Sequence, residues 1–164
     1  MAISTFAALW FLPFALPICI WVAWNDLKFM KIPNKAVLAL MVVFVVIGII
    51  VLPFVDYSWR FVHFLVVLAI GFVLNMGGLI GAGDAKFAAA MAPFIPLDDV
   101  WFFAVRFGVV VIAAVITHRI FRKFPAIRAR TGDWKSWTSK KFPMGLALGG
   151  SLAFYLALGV VQGS

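Results

Sequence analysis

The chain has 164 residues, 65% of them hydrophobic and 12% charged, with a formal net charge of +8. An ordinary soluble domain carries about a quarter charged residues, so no water-soluble fold could bury this much apolar surface. The basic excess is not a nucleic-acid footprint either, because Lys and Arg sit in short segments between apolar runs, the pattern that fixes orientation in a bilayer.

The first apolar run, residues 6–24, lacks a positive leading region and is too long for the core of a cleaved signal, so it reads as a retained helix. It holds the single cysteine, Cys19, which excludes an internal disulfide and a cysteine-based metal site. The polar stretch WNDLKFMKIPN follows, with Asp26, Pro33 and Asn34, and then two further apolar runs at 36–55 and 61–80. Next comes GLIGAGDAKF, carrying Gly81, Gly83, Asp84 and Lys86, which opens a fourth run at 85–97. At the helical rise these thirteen residues reach only about 20 Å of a core about 30 Å thick. That segment therefore needs a thinned bilayer or protein neighbours, since irregular backbone survives at membrane depth only under protein or beside a water-filled cavity. A fifth run at 100–117, a basic segment at 119–141 and a last run at 144–161 complete the chain. The expectation is an all-α polytopic membrane protein, one domain over residues 1–164 built as a bundle of six transmembrane helices.

Orientation follows from alternate connections. Twelve of the fourteen Lys and Arg fall in the first, third and fifth, namely Lys28, Lys31, Lys35, Lys86 and the eight between Arg119 and Lys141. The opposite connections hold Asp56, Arg60, Asp98 and Asp99, with Arg106 a little way into the fifth helix. The positive-inside rule then puts both termini outside and brings Asp26 and Asp84 to the cytoplasmic face.

These two carboxylates, 58 residues apart, are the residues best placed for chemistry. Taken singly, Asp26 is a helix-flanking interfacial charge and Asp84 a helix-start charge favoured by the dipole. Taken together they fit peptide hydrolysis, in which one ionised aspartate activates water and one protonated aspartate polarises the carbonyl. Two like charges close together supply that asymmetry, and acids near hydrocarbon tend to mark function. Gly81 and Gly83 allow a tight turn and the approach of another chain. His63 and His118 lie toward opposite faces, so no metal site or serine–histidine–acid set competes, and no cofactor or metal is expected. Asn75 and Arg106 read as polar groups satisfied within the bundle or snorkelling.

An aspartate shortly before KIPN, followed by a second within GxGD, resembles the bacterial type IV prepilin peptidases, the GxGD intramembrane aspartic proteases; here the motifs are DLKFMKIPN and GAGD. The resemblance covers essentially the whole chain. It implies Asp26 and Asp84 as catalytic aspartates, Gly81 and Gly83 as motif glycines, Lys86 as a neighbour of the motif, and Pro33 and Asn34 as structural parts of the first connection. FPMG at 142–145 is similar to the segment leading into the family's last helix, and equally reads as a helix start with Pro near its first turn. The bifunctional members carry an added cytoplasmic segment with paired cysteines and methylate the new N-terminus; this chain resembles instead the short peptidase-only form of tight-adherence (Flp) pilus systems. The resemblance implies a bacterial inner-membrane protein whose partner is a prepilin or prepilin-like membrane substrate bearing a cytoplasmic leader, its hydrophobic helix beside the first and fourth helices.

The basic segment, with Trp134, Trp137 and its one acid Asp133, reads first as a topology anchor on anionic lipid, where each basic residue contributes about 1 kcal/mol, and second as a dock for the leader. The alternative from another class is a small proton- or cation-coupled transporter or channel component using the aspartates as ion ligands. A structural assembly subunit, with the aspartates as flanking charges, is a third.

Overall fold

The computed structural model describes residues 1–132 and 134–164, so Asp133 lies outside the described residues. Among them every regular element is helical: α1 Thr5–Phe29, α2 Asn34–Val51, α3 Phe54–Met76, α4 Ala82–Met91, α5 Val100–Arg122, α6 Pro125–Thr131, α7 Lys135–Thr138 and α8 Met144–Gln162, with 3-10 turns at Ala92–Phe94 and Leu97–Asp99. Five helical segments are long and apolar enough to cross a membrane, those of α1, α2, α3, α5 with its preceding turn, and α8. Their outward faces are apolar, with Leu38, Ile50, Val73 and Trp101 among the exposed side chains. Exposure of this kind, unfavourable in water, is what a bilayer solvates.

The expected sixth segment is the exception. The helix at 85–97 is shorter and earlier than its apolar run, because α4 gives way to a 3-10 turn at Pro93, whose ring cannot continue a helix's hydrogen bonding. Protein neighbours make the short helix tenable. Phe87, Ala89, Ala90 and Met91 are buried, and Ala85 meets Gly71 of α3 so closely that a Cβ on Gly71 would stand 3.0 Å from the Ala85 Cβ. The carbonyls released at the end of α4 find donors on α3: Arg60 donates from Nη1 to the Pro93 oxygen at 3.1 Å, and the His63 Nδ1 lies 3.2 Å from the Ile95 oxygen.

Two other boundaries differ from expectation for the same reason, that single polar residues do not stop a helix. α1 runs through Asn25, Asp26 and Lys28 to end at Met30, whose positive φ of 55° closes the helix with a bond from its N–H to the Asp26 carbonyl. Asp26 is therefore held on a helix rather than in a loop. α3 begins at Phe54 directly after Pro53, so Asp56 and Arg60 belong to its first turns and not to a connection. The basic segment is likewise part helix: α5 continues to Arg122, and α6 and α7 fold beyond it. Trp134 meets Trp24 at 4.9 Å between ring centroids and stacks on Trp137, which itself stacks on His118.

The core is the pairing of α1 with α8. On α1 the inward face is small, with Ala8, Ala15 and Cys19 buried, and α8 answers with Gly145, Gly149 and Gly159. A Cβ on Gly149 would stand 2.7 Å from the Cys19 carbonyl oxygen, and one on Gly159 would stand 2.9 Å from the Ala8 Cβ. Lipid tails are as apolar as Leu, so helices associate in a bilayer through such close packing rather than through the hydrophobic effect. Phe11, Phe44, Tyr57 and Phe94 fill the space between α1, α2, α3 and α4 as a connected aromatic cluster.

The two chain ends meet at one end of the bundle, where Ser164 donates to the Ile3 carbonyl and Thr5 to that of Ser164. There Asp99 accepts from the Ala2 and Ile3 amides and from the Tyr155 hydroxyl at 2.6 Å. Asp26 lies 21 residues along α1 from Thr5, about 30 Å away at the helical rise and toward the opposite end.

Arg60→Leu is expected to destabilise the fold by about 1–3 kcal/mol, because it strands the buried Pro93 carbonyl. Arg106→Leu should cost less, since the Arg106 guanidinium meets the carbonyl and ring of Phe102, one turn away on its own exposed helix. Thermal unfolding of both variants in one detergent compares them; equal losses would contradict the assignment.

Candidate active site

Asp26 is buried, 5% exposed, three residues before the end of α1. Its Oδ2 accepts the Gly145 amide N–H at 2.6 Å. Gly145 is the second residue of α8, so this donor is one of the free N–H groups at a helix start, where the dipole favours a carboxylate. The fit requires glycine: a Cβ at this position would stand 2.8 Å from the Asp26 Cβ and 3.0 Å from Oδ2.

Asp84 occupies the first turn of α4. The two motif glycines act through space rather than through turn geometry. Gly81, at φ −71°, and Gly83, inside the helix, both have ordinary backbone conformations, and the positive φ nearby belongs to Gly78. A Cβ on Gly81 would stand 2.7 Å from the Asp84 Oδ2, so Gly81 leaves room for that carboxylate. A Cβ on Gly83 would stand 3.3 Å from the Ile32 Cβ, so Gly83 lets the first connection lie against α4. The tight-turn expectation for Gly81 and Gly83 is thereby replaced by one of close approach.

The two motifs join at this contact. Ile32 is buried beside Gly83, Pro33 caps α2 in an extended conformation, and Asn34 Oδ1 accepts from Lys86 Nζ at 3.4 Å. Lys86 and Asn34 thus tie GAGDAK to KIPN, while neither they nor Pro33 line the cavity itself. That cavity, about 320 Å³, is lined by both Asp26 and Asp84, with Gly81, Gly83, Ile32 and Met144 among its walls. The structure thus brings the two aspartates, 58 residues apart in sequence, to one concave site at the end of the bundle away from the termini. His63 and His118 stay out of it, and among the described residues no group of three His, Cys, Asp or Glu could hold a metal ion.

Residues 13–119 match the type IV leader peptidase family. The chain belongs to that family. The match covers well over half of the sequence and includes Asp26, Asp84 and every element from α2 to α4. No curated protein and no solved structure matches the chain. Membership makes it a membrane-embedded peptidase acting on a membrane-bound protein substrate.

Positions beyond the matched span also shape the cavity. Lys141, Phe142 and Met144 line the cavity and Gly145 holds Asp26. The sequence offered Gly145 only as the last letter of FPMG, and its partner stands 119 positions earlier. The usable signal was the run of glycines at 145, 149 and 159 on one apolar helix, which marks a close helix contact but does not name the residue opposite.

Gly145→Ala should cut the rate of proteolysis about a hundredfold, the scale of a carboxylate misplaced by about 1 Å. Circular dichroism should show the helices retained, and an unchanged cleavage rate in detergent would refute the proposed seat for Asp26.

Proposed function

We propose that this peptidase is an intramembrane aspartic endopeptidase that removes the cytoplasmic leader from type IV prepilin or prepilin-like precursors. The observation that carries the reading is the shared cavity, in which Asp26 and Asp84 face one volume of about 320 Å³ within a family of leader peptidases. Two carboxylates in so confined a site do not both ionise readily, because each charge opposes the other and burial opposes both. The pair then holds one proton. The ionised member takes a proton from water, the resulting hydroxide attacks the scissile carbonyl, and the protonated member donates to the carbonyl oxygen. As the C–N bond of the tetrahedral intermediate breaks, the aspartate that took the proton from water gives it to the leaving amine, and the other aspartate recovers a proton from the gem-diol hydroxyl. The aspartates titrate as a unit, and the reaction needs neither metal nor cofactor.

The whole chain forms one transmembrane domain in this reading, with α4 and its 3-10 turn as a sixth and short crossing. The hydrogen-bonded termini support an even number of crossings, and the basic residues crowd the other end, as expected of a cytoplasmic face. Both termini are then external in a bacterial inner membrane. In this reading the enzyme is a peptidase without methyltransferase activity, in keeping with the resemblance to the short peptidase-only form.

Asp26→Asn and Asp84→Asn should each abolish cleavage of a precursor while insertion and yield stay near wild type. The double variant should be scarcely worse than either single one, since members of one catalytic unit lose activity non-additively. Wild-type cleavage by either single variant, read as intact product mass, would end the dyad assignment. Reporter fusions provide an independent check: within residues 119–141 they should read cytoplasmic, and at the C-terminus external. A cytoplasmic C-terminus would overturn the orientation.

A further inference from the structure

A second concavity opens in the side of the bundle. α5 docks chiefly on α8 while α3 rests on α4, which leaves a lateral groove between α3 and α5 with a volume of about 520 Å³. Its walls are Val66 and Ile70 from α3 and Phe103 and Phe107 from α5, and its floor includes Ala88 of α4 and Leu148 of α8. Among the described residues no Asp, Glu, Lys or Arg lines it. On α3 the lining runs from Trp59 to Ile70, about 16 Å at the helical rise, or three turns of a single helix.

The position of the floor sets this groove apart from an ordinary lipid-facing crevice. Ala88 follows Asp84 by four residues on α4, and Leu148 follows Met144 by four on α8. Asp84 and Met144 line the aspartate cavity, whereas Ala88 and Leu148 line the groove. Residues four apart share a helix face, about 5–6 Å apart. Both helices therefore lead from the cavity into the groove within one turn. α1 contributes nothing to the groove, whereas α4, the other helix that the sequence reading placed beside the substrate, forms part of its floor.

We propose that this groove is the docking site for the apolar transmembrane helix of the peptidase's membrane-bound substrate, holding about three turns of it so that the adjoining segment reaches Asp26 and Asp84. The proposal rests on the leader-peptidase reading of the cavity. It assigns substrate recognition inside the membrane to shape and apolar contact, with lipid displaced when the substrate helix docks. An apolar helix laid into a groove is a recurrent recognition mode, anchored by residues at i, i+3, i+4 and i+7. Trp59, Val62, His63, Val66 and Ile70 present that spacing from the α3 wall.

Val66 and Ile70 are each at least half exposed, so a larger side chain fits there without entering the core. Val66→Trp and Ile70→Trp should raise KM for a full-length membrane precursor about tenfold, with kcat within about twofold of wild type. Leu38→Trp and Ile50→Trp, on the exposed face of α2, serve as controls and should leave both constants unchanged. As a second measurement, a photo-crosslinking residue at Val66 or Phe103 in the Asp84→Asn background should capture the precursor's apolar segment in preference to the same probe at Leu38. Groove variants that behave like the α2 controls, or probes that capture only lipid, would overturn the proposal. A groove that fails while Asp26→Asn and Asp84→Asn still abolish cleavage refutes the docking site alone; aspartate variants that retain activity refute the reading beneath it.

Discussion

The structure depends on how closely α1 and α8 approach. With only lipid as the competing solvent, apolar side chains gain little by meeting one another, and the energy of association comes from contact at short range. Gly149 against the Cys19 carbonyl and Gly159 against Ala8 set that range. One further contact in the same seam, Gly145 against Asp26, turns a packing arrangement into a polar one: a buried carboxylate gains a short backbone donor that no side chain obstructs. A larger residue anywhere along this seam would move the helix ends that the site is made from. The same physics recurs between α3 and α4, where Gly71 and Ala85 meet, so that both aspartate-bearing helices are positioned by small residues.

A second constraint is the treatment of backbone polar groups where helices stop inside the bundle. α4 is short, and its terminal carbonyls would be costly at membrane depth without partners. Arg60 and His63 reach across from α3 to meet them. At the end of the bundle bearing the termini, Asp99 gathers two amides and the Tyr155 hydroxyl in the same way. Arg60, His63 and Asp99 are thus placed where helical backbone begins or ends.

Much of this was legible in the sequence, and particular residues explain what was not. The membrane class followed from composition, and the convergence of Asp26 with Asp84 followed from counting Lys and Arg, because charge distribution is a global property that survives errors in helix ends. Those ends were misplaced where polarity was mistaken for a break: Asn25 and Asp26 continue α1, and Asp56 and Arg60 begin α3. Gly81 and Gly83 were legible as glycines serving a turn and a close approach; only the approach is observed, and the neighbours, Asp84 and Ile32, were not legible. Gly145 was hidden most deeply, because its importance lies in a contact with a residue on the first helix. The α3–α5 groove was invisible for a related reason: an apolar residue facing a cleft is written like one facing lipid.

The bond between Gly145 and Asp26 also has a meaning in time. A chain emerging from the ribosome presents Asp26 first, then Asp84, and only after both the residue that seats the first of them. Until α8 has inserted alongside α1, both acids are present in the membrane while the cavity wall formed by Lys141, Phe142 and Met144 is absent. The arrival of α8 therefore completes the cavity. A chain stalled before α8 would hold the two carboxylates without the wall and the backbone donor that enclose them here.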